Sequence, residues 1–391
     1  MLAELRRSEE LTSDFQTQLE AFTSKRGWNK SECGTCHRQY FSKGNSSCGD
    51  IECTKEYGFL SDSRKEKFGS PLEVNNRFRK YFEGLGYRPH AAKSILNEGG
   101  TTLFTSAGVQ ILDDHIFREA GAPTEPLLVS QPSLRTQYAD SIGEGNSLSF
   151  VNICTETVNC KPDVFFANLD QWIGFLSKLG LFAGDITLHR RQMEQRWGST
   201  SLKSEIVAVY YKGLEIGDGN YDYSFDPNST KVATISDFGF GLERINWIMT
   251  KGSYFDSVGP LTESLKGNGL VQEMAKTATL LASSGLEPSN KDKGYRYRSF
   301  AKKIAQLLFP SHKDLQALAS YYHRYWSSFV QLPVSSDTTS VSLQSEYDRN
   351  YNLIVNTSLS ADIDPNQPTE AFLSEILKRG IGRDRLIQIG L

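Results

Sequence analysis

The spacing of apolar residues divides the chain into four stretches. Residues 1–24, MLAELRRSEELTSDFQTQLEAF and onward, carry apolar positions at helical spacing in a polar background, which predicts an amphipathic helix. Residues 25–68 hold four cysteines among Gly, Ser, Asn and Lys, with little apolar material to build a core. Residues 69–255 alternate short β-like runs (LLVSQPSLR, SEIVAVYYKGLEI, KVATISDFG) with helical ones (EVNNRFRKYFEGLG, ANLDQWIGFLSKLG). Strands and helices do not repeat as βαβ units, so the predicted class is α+β: a mostly antiparallel sheet flanked by helices. Residues 256–391 return to a helical period in LVQEMAKTATLLASSG, YRSFAKKIAQLLF and LQALASYYHRYWSSFV, with PVSSDTTSVSLQSEYD predicted as an internal loop. Three units follow: an N-terminal helix with a cysteine module (1–68), a sheet domain (69–255) and a helical domain (256–391).

Composition narrows the class. Hydrophobic residues at 38% and charged residues at 23% fit a globular protein. A net charge of −3 gives no global sign of a nucleic-acid binder, so any such surface must be a local patch. Charges throughout the N-terminal segment leave no apolar core for a signal peptide. No stretch approaches the roughly 20 apolar residues of a membrane span. The expectation is a cytoplasmic protein with no membrane partner.

In that compartment, clustered cysteines suggest metal ligation before disulfides. Cys33, Cys36, Cys48 and Cys53 follow C-x2-C-x11-C-x4-C. Two close pairs across a short loop can set four thiolates tetrahedrally around zinc and so fold a segment too polar to fold alone. His37 is an alternative ligand, though four cysteines already fill the shell, and a closed shell makes the ion structural. Cys154 and Cys160 read as packed thiols.

The stretch GWNKSECGTCHRQYFSKGNSSCGDIECTKEYGFL resembles the opening of archaeal-type alanyl-tRNA synthetases, where such residues form a small metal-binding module. PLLVSQPSLRTQYADSIGEGNSLSFVNI is similar to that family's version of class II motif 2. The resemblance implies that Arg135 holds the amino acid carboxylate against the ATP α-phosphate, that Phe150 stacks on adenine, and that Asp140 is the loop acid. A guanidinium suits two approaching anions because it offers fixed donors and stays charged. TISDFGFGLERINWIM looks like motif 3, whose Arg244 clamps the ATP phosphates from the opposite side, while Asp237 receives the α-ammonium group. YYKGLEIGDGNY resembles the family's GLE strand; Glu215 or Asp218 would meet Mg²⁺, a hard cation that needs oxygen ligands. FRKYFEGLGYRPH and GGTTLFTSAGVQ resemble the motif 1 helix and strand. Trp197 matches a residue that shapes the alanine pocket. Two departures stand out: Asn146, Ser147 and Phe150-Val151 replace the usual motif 2 return, and WGSTSLKSEI is shorter than the family pattern.

KTATLLASSGLEPSNKDKGYRYRSFAKKI is similar to the helix-loop-helix that approaches the tRNA acceptor stem. Residues 291–303 carry six Lys or Arg against one acid, interleaved with Tyr295 and Tyr297. Such a strip either follows a phosphate backbone or is a solvated helix face. The resemblance assigns tRNA contacts to Asn290, Lys291, Lys293, Arg296 and Arg298, with Asp364 as an acidic reader of the stem. Asn290 in PSN is equally a turn residue. AFLSEILKRGIGRDRLIQIGL resembles the element preceding the family's editing domain, and none of the six histidines forms an HxxxH pair. The resemblance therefore implies ATP, Mg²⁺ and structural Zn²⁺ as cofactors. The expected activity is activation of a small amino acid, alanine favoured, and its transfer to tRNA without editing. A carrier protein or small metabolite as acceptor, or a non-catalytic tRNA- or protein-binding role, is the alternative.

Overall fold

The computed structural model describes residues 2–62, 69–100, 102–116, 121–138, 141–143, 145–197, 200–223, 234–257 and 268–360. Helix α1 (Leu2–Lys25) opens the chain, followed by strands β1 (Asn29–Glu32) and β2 (Gln39–Ser42) and the short helix α2 (Ile51–Thr54). Helix α3 (Pro71–Glu83) starts at a Ser70 hydroxyl that accepts from the Glu73 amide, with Pro71 in the first turn. Both features fix a helix start. Then come β3 (Arg88–Pro89), α4 (Asp113–Ile116), β4 (Leu127–Leu134), β5 (Ser149–Val158) and α5 (Pro162–Lys178). The long strands β6 (Ile186–Trp197), β7 (Thr200–Tyr211), β8 (Leu214–Tyr223) and β9 (Thr234–Gly241) lead into α6 (Leu242–Thr250). Helices α7 (Gly269–Ser283), α8 (Asp292–Leu308), α9 (Gln316–Ser327) and α10 (Ser336–Ser360) pack together as a bundle.

The strands form a nine-stranded sheet in the order β1-β2-β6-β7-β8-β9-β5-β4-β3. Every pairing is antiparallel except β3 with β4. The α+β expectation is met. β2 pairs with β6, so the cysteine segment extends the edge of the main sheet.

Alternation along β8 and β9 separates core from cleft. In TISDFGFG, Phe238 and Phe240 turn toward α5, where Phe240 stacks on Trp172 at 4.2 Å and Phe238 meets Phe165 at 4.8 Å. Asp237 and Gly239 turn the other way. On β8, Gly217 and Gly219 lie over those rings; a Cβ at Gly219 would sit 2.2 Å from Phe238, and one at Gly217 would sit 2.6 Å from Phe240. Glycine is required there so that the aromatic layer can close. The intervening Asp218, Asn220 and Asp222 therefore face the cleft with Asp237.

Two expectations need correction. The polar run SSDTTSVSLQSEYD is the start of helix α10, not a loop. Its Thr339, Ser340, Leu343 and Tyr347 are buried at helical spacing against the bundle, so tertiary packing overrides weak intrinsic propensity. The segment GGTTLFTSAGVQ is not a strand: it forms turns and then a 3₁₀ turn at Gly108–Leu112. Its polar groups are used locally, with the Gln110 side chain accepting from the amides of Ser106 and Ala107 and the Thr105 amide donating to the Ile95 carbonyl.

Candidate active site

A cleft of about 600 Å³ lies on the sheet face opposite the aromatic layer. Its floor is built by Phe150 and Asn152 of β5, Asp218, Asn220 and Asp222 of β8, and Asp237 of β9. Arg135, at the end of β4, and Arg244, in the first turn of α6, both line it. The Arg135 Nε donates to the Ser106 carbonyl at 3.0 Å, and its guanidinium lies over the Phe150 ring at 5.1 Å. Arg244 donates to the Gly145 carbonyl at 2.7 Å, the Glu215 carbonyl at 2.8 Å and the Asn146 amide oxygen at 2.8 Å. Asn146, one of the departures from the motif 2 pattern, thus helps aim this arginine. Val151, another departure, is buried, and its amide donates to the Glu243 carboxylate at 3.0 Å.

The acids of the floor are shaped by burial. Burial and the nearby Glu215 push Asp218 up to about 6, although the Asn220 side chain donates to it at 3.1 Å. Burial likewise pushes Asp222 up to about 6, against a hydrogen bond from the Ser204 hydroxyl. Asp237 is driven well above the usual carboxylate range by burial and by Asp222 and Asp218. Glu215 stands nearer the rim, where its carboxylate accepts from the Tyr210 hydroxyl at 2.7 Å and from Arg191 at 3.0 Å.

The four cysteine side chains of the N-terminal module converge, with all four sulfurs within 4.8 Å of one another. The 3.8 Å between the Cys36 and Cys48 sulfurs is far too long for a disulfide. It matches the roughly 3.8 Å edge of a tetrahedron with metal–sulfur distances of about 2.3 Å. Burial opposes ionisation of Cys33, but backbone amides of Cys36, Thr35 and Cys48 outweigh it and bring the thiol down to about 6. The backbone and the Nε of Arg38 lower Cys36. The donor set fits zinc. His37 turns outward to Glu32 and takes no part. The module also reaches the cleft: Arg38 pairs with Asp50 at 2.6 Å, and Asp50 and Tyr57 line the rim.

The structure thus brings Arg135, Phe150, Glu215, Asp218, Asp237 and Arg244 to one cleft. Asp140 and Asp364 lie outside the described residues, as does the side chain of Trp197. Lys291 and Arg296 are exposed at the start of α8, but Lys293 donates to the Leu96 carbonyl. Arg298 is committed to Asn290 and to Glu346 at 3.3 Å. Sequence reasoning missed Asp222 and Asn220, which the two-residue period of GDGNYD sets beside Asp218. It also missed Glu156, Arg191 and Asp50, for which the sequence offers no comparable signal.

No family model matches the chain. Curated relatives are alanine–tRNA ligases. That of Methanothermobacter thermautotrophicus is 26% identical over 256 residues, covering 62% of this chain and 28% of the relative. That of Thermoplasma acidophilum is 27% identical over 256 residues, covering 60% of this chain and 28% of the relative. In Korarchaeum cryptofilum the match is 25% over 325 residues, covering 75% of this chain and 34% of the relative. The matched region is therefore about a third of those proteins. Among solved structures, the pyrrolysyl-tRNA synthetase of Desulfitobacterium hafniense aligns with a TM-score of 0.33 at 12% identity, covering 52% of this chain and 77% of that one, which is too weak to assign a fold. By sequence, the chain is similar to aminoacyl-tRNA synthetases. In particular, it is similar to part of several alanine–tRNA ligases, at 25–27% identity.

Proposed function

We propose that this chain uses ATP to activate an amino acid as its adenylate and transfers the acyl group to the 3′ end of a tRNA. The observation that supports this most is the pair of arginines, Arg135 and Arg244, converging on one cleft whose floor carries the buried Asp237. In this reading Arg135 draws the substrate carboxylate toward the α-phosphate, Arg244 meets the departing pyrophosphate, and Asp237 receives the α-ammonium. The carboxylate oxygen attacks phosphorus in line as pyrophosphate leaves. No protein nucleophile is needed, and catalysis is positioning and charge stabilisation. Phe150 stacks on adenine, and Asp140 and Trp197 keep the nucleotide and amino-acid roles that the sequence resemblance implies. Glu215 and Asp218 would hold Mg²⁺, which offsets phosphate charge. The four cysteines hold a structural zinc. Lys291 and Arg296, exposed at the start of α8, would meet the acceptor stem first, with Asn290, Lys293, Arg298 and Asp364 assigned to it by the sequence resemblance, on a helical unit (256–391) following the catalytic (69–255) and zinc (1–68) units. The relatives' name makes alanine the first amino acid to try.

Amino-acid-dependent exchange of labelled pyrophosphate into ATP, run over an amino-acid panel, tests this. Exchange with at least one amino acid is expected, and no exchange overturns the reading. Charging of total tRNA then tests the acceptor; exchange without charging overturns the transfer half and favours a carrier protein or metabolite.

A further inference from the structure

The cysteine module touches the sheet at a point that the activation chemistry does not use. Cys48 is buried, and its carbonyl accepts from Nε2 of His189 on β6. A carbonyl can only accept, so the ring proton sits on Nε2. Nδ1 is buried and has no donor among the described residues, which leaves the Cys48 carbonyl to fix the ring. That ring lies on Tyr210 of β7, with 4.4 Å between centroids and 26° between planes. The loop carrying Cys48 presses on the same side chain: a Cβ at Gly49 would stand 3.3 Å from the Tyr210 Cβ.

From Tyr210 the contacts continue into the cleft. A register shift between Val209 and Tyr210 sets Tyr210 opposite Glu215, the way a bulge re-aims a side chain. The Tyr210 hydroxyl accepts from Arg191 and donates to the Glu215 carboxylate at 2.7 Å. The Glu215 carbonyl in turn receives Arg244 at 2.8 Å. An unbroken chain therefore runs from a cysteine carbonyl, through two packed rings, to a carboxylate and a guanidinium that line the cleft. Closely packed rings pass a displacement on, and a hydrogen bond tolerates little change in length or angle.

We propose that His189 and Tyr210 are positioning residues that couple occupancy of the four-cysteine site to the binding of Mg·ATP in the cleft. This coupling rests on the activation reading, in which Glu215 and Arg244 meet the metal and the phosphates of ATP. Thiolates gathered on one ion hold the Cys48 backbone in place. His189 then keeps one ring plane, and Tyr210 keeps its hydroxyl on Glu215. With the thiolates released, carbonyl, ring and carboxylate lose that common reference. Asp50 offers a second contact, by its bridge to Gly213. Its carboxylate is answered by Arg38 of the module itself, however, and Gly213 has no side chain to carry a displacement onward.

Linkage makes the coupling measurable from the far end: whatever factor an occupied cysteine site adds to Mg·ATP affinity, Mg·ATP adds to zinc affinity. Calorimetry on the full chain first fixes the Mg·ATP concentration that saturates each protein. Competition with a chelator, Mg²⁺ in excess, then measures zinc affinity with and without that nucleotide. In the parent, zinc is expected to bind about tenfold tighter with Mg·ATP present, and the factor to fall to about one in Tyr210→Phe and in His189→Leu. Tyr210→Phe keeps the ring on His189 and the Asp50 contact, and removes the hydroxyl alone. Two substitutions guard against one failing to fold. A factor kept in either folded variant overturns the relay. So does a zinc affinity that climbs with nucleotide concentration without levelling off, since that marks global unfolding of the zinc-free chain. Mg·ATP that binds the parent without changing its zinc affinity overturns this inference alone. Failure of the parent to bind Mg·ATP overturns the activation reading and the relay with it.

Discussion

Arg244 shows how one side chain is aimed by groups that leave its charge intact: two carbonyls and one amide oxygen hold its guanidinium. Replacing it with Ala is expected to lower pyrophosphate exchange by about a hundredfold or more, the scale of losing a charge-stabilising donor. Bound zinc should be unchanged, and exchange at the parent's rate would remove Arg244 from the proposed chemistry. Asp222 carries a different consequence. Burial raises it from an ordinary 3.8 to about 6, so between those values the folded chain binds the proton more tightly than the unfolded one. Its contribution to stability is therefore present at low pH and lost as pH rises through about 6. At about 1.4 kcal/mol per unit, the loss is about 3 kcal/mol. Denaturant melts of Asp222→Asn should match the parent near pH 4 and exceed it by about 3 kcal/mol above pH 7. A gap independent of pH would refute the assignment.

Between elements, the polar joint where α7 meets β5 carries a wholly buried ion pair. Lys276 and Glu273 pair at 2.9 Å with both side chains wholly buried. Glu273 accepts from the amides of Leu148 and Ser149, and Ser149 bonds Thr277 at 2.8 Å. On α6, Glu243 accepts from the Val151 amide and the Tyr325 hydroxyl. These contacts fasten the helical bundle to the return strand that carries Phe150. Lys276→Met is expected to destabilise the fold by about 3–5 kcal/mol, because it strands a buried carboxylate; a loss under 1 kcal/mol by chemical denaturation would contradict that. This joint was not legible in the sequence, where MAKTATLL reads as an ordinary amphipathic helix and gives no hint that Lys276 points inward. The strand–turn–helix of TISDFGFGLER was legible, because alternation and the glycine turn are local properties. Asp218 and Asp237 could be read from motif pattern alone, but Glu156 joins them only through cross-strand register, which no local pattern encodes. The start of α10 was misread for the same reason: its polar residues become helical only because α8 and α9 cover them.

Across the molecule, the cysteine module and the cleft are mechanically continuous. β2 extends the sheet at β6, Tyr57 and Phe59 abut Trp247 of α6 at 4.9 and 5.0 Å, and Asp50 stands at the rim. Cys48→Ser should abolish bound zinc and lower the melting temperature. A variant that keeps its zinc would refute the four-cysteine site, since a closed shell tolerates no lost ligand. No helix among the described residues is long and apolar enough to cross a membrane. The neutral acceptors that hold Arg135 and Arg244 have a further consequence, for kinetics. Neither arginine makes an ion pair among the described residues, although Asp218 and Asp237 lie within electrostatic reach of Arg135, in a chain whose net charge is −3. Under the proposed reading, a polyphosphate drifting toward the molecule meets general repulsion and, at these two arginines, a local attraction. Added salt shortens the reach of both, to about 8 Å at physiological ionic strength. Under that reading the cleft mouth would act as a short-range guide, selecting the approach direction of an anion within the last few ångströms.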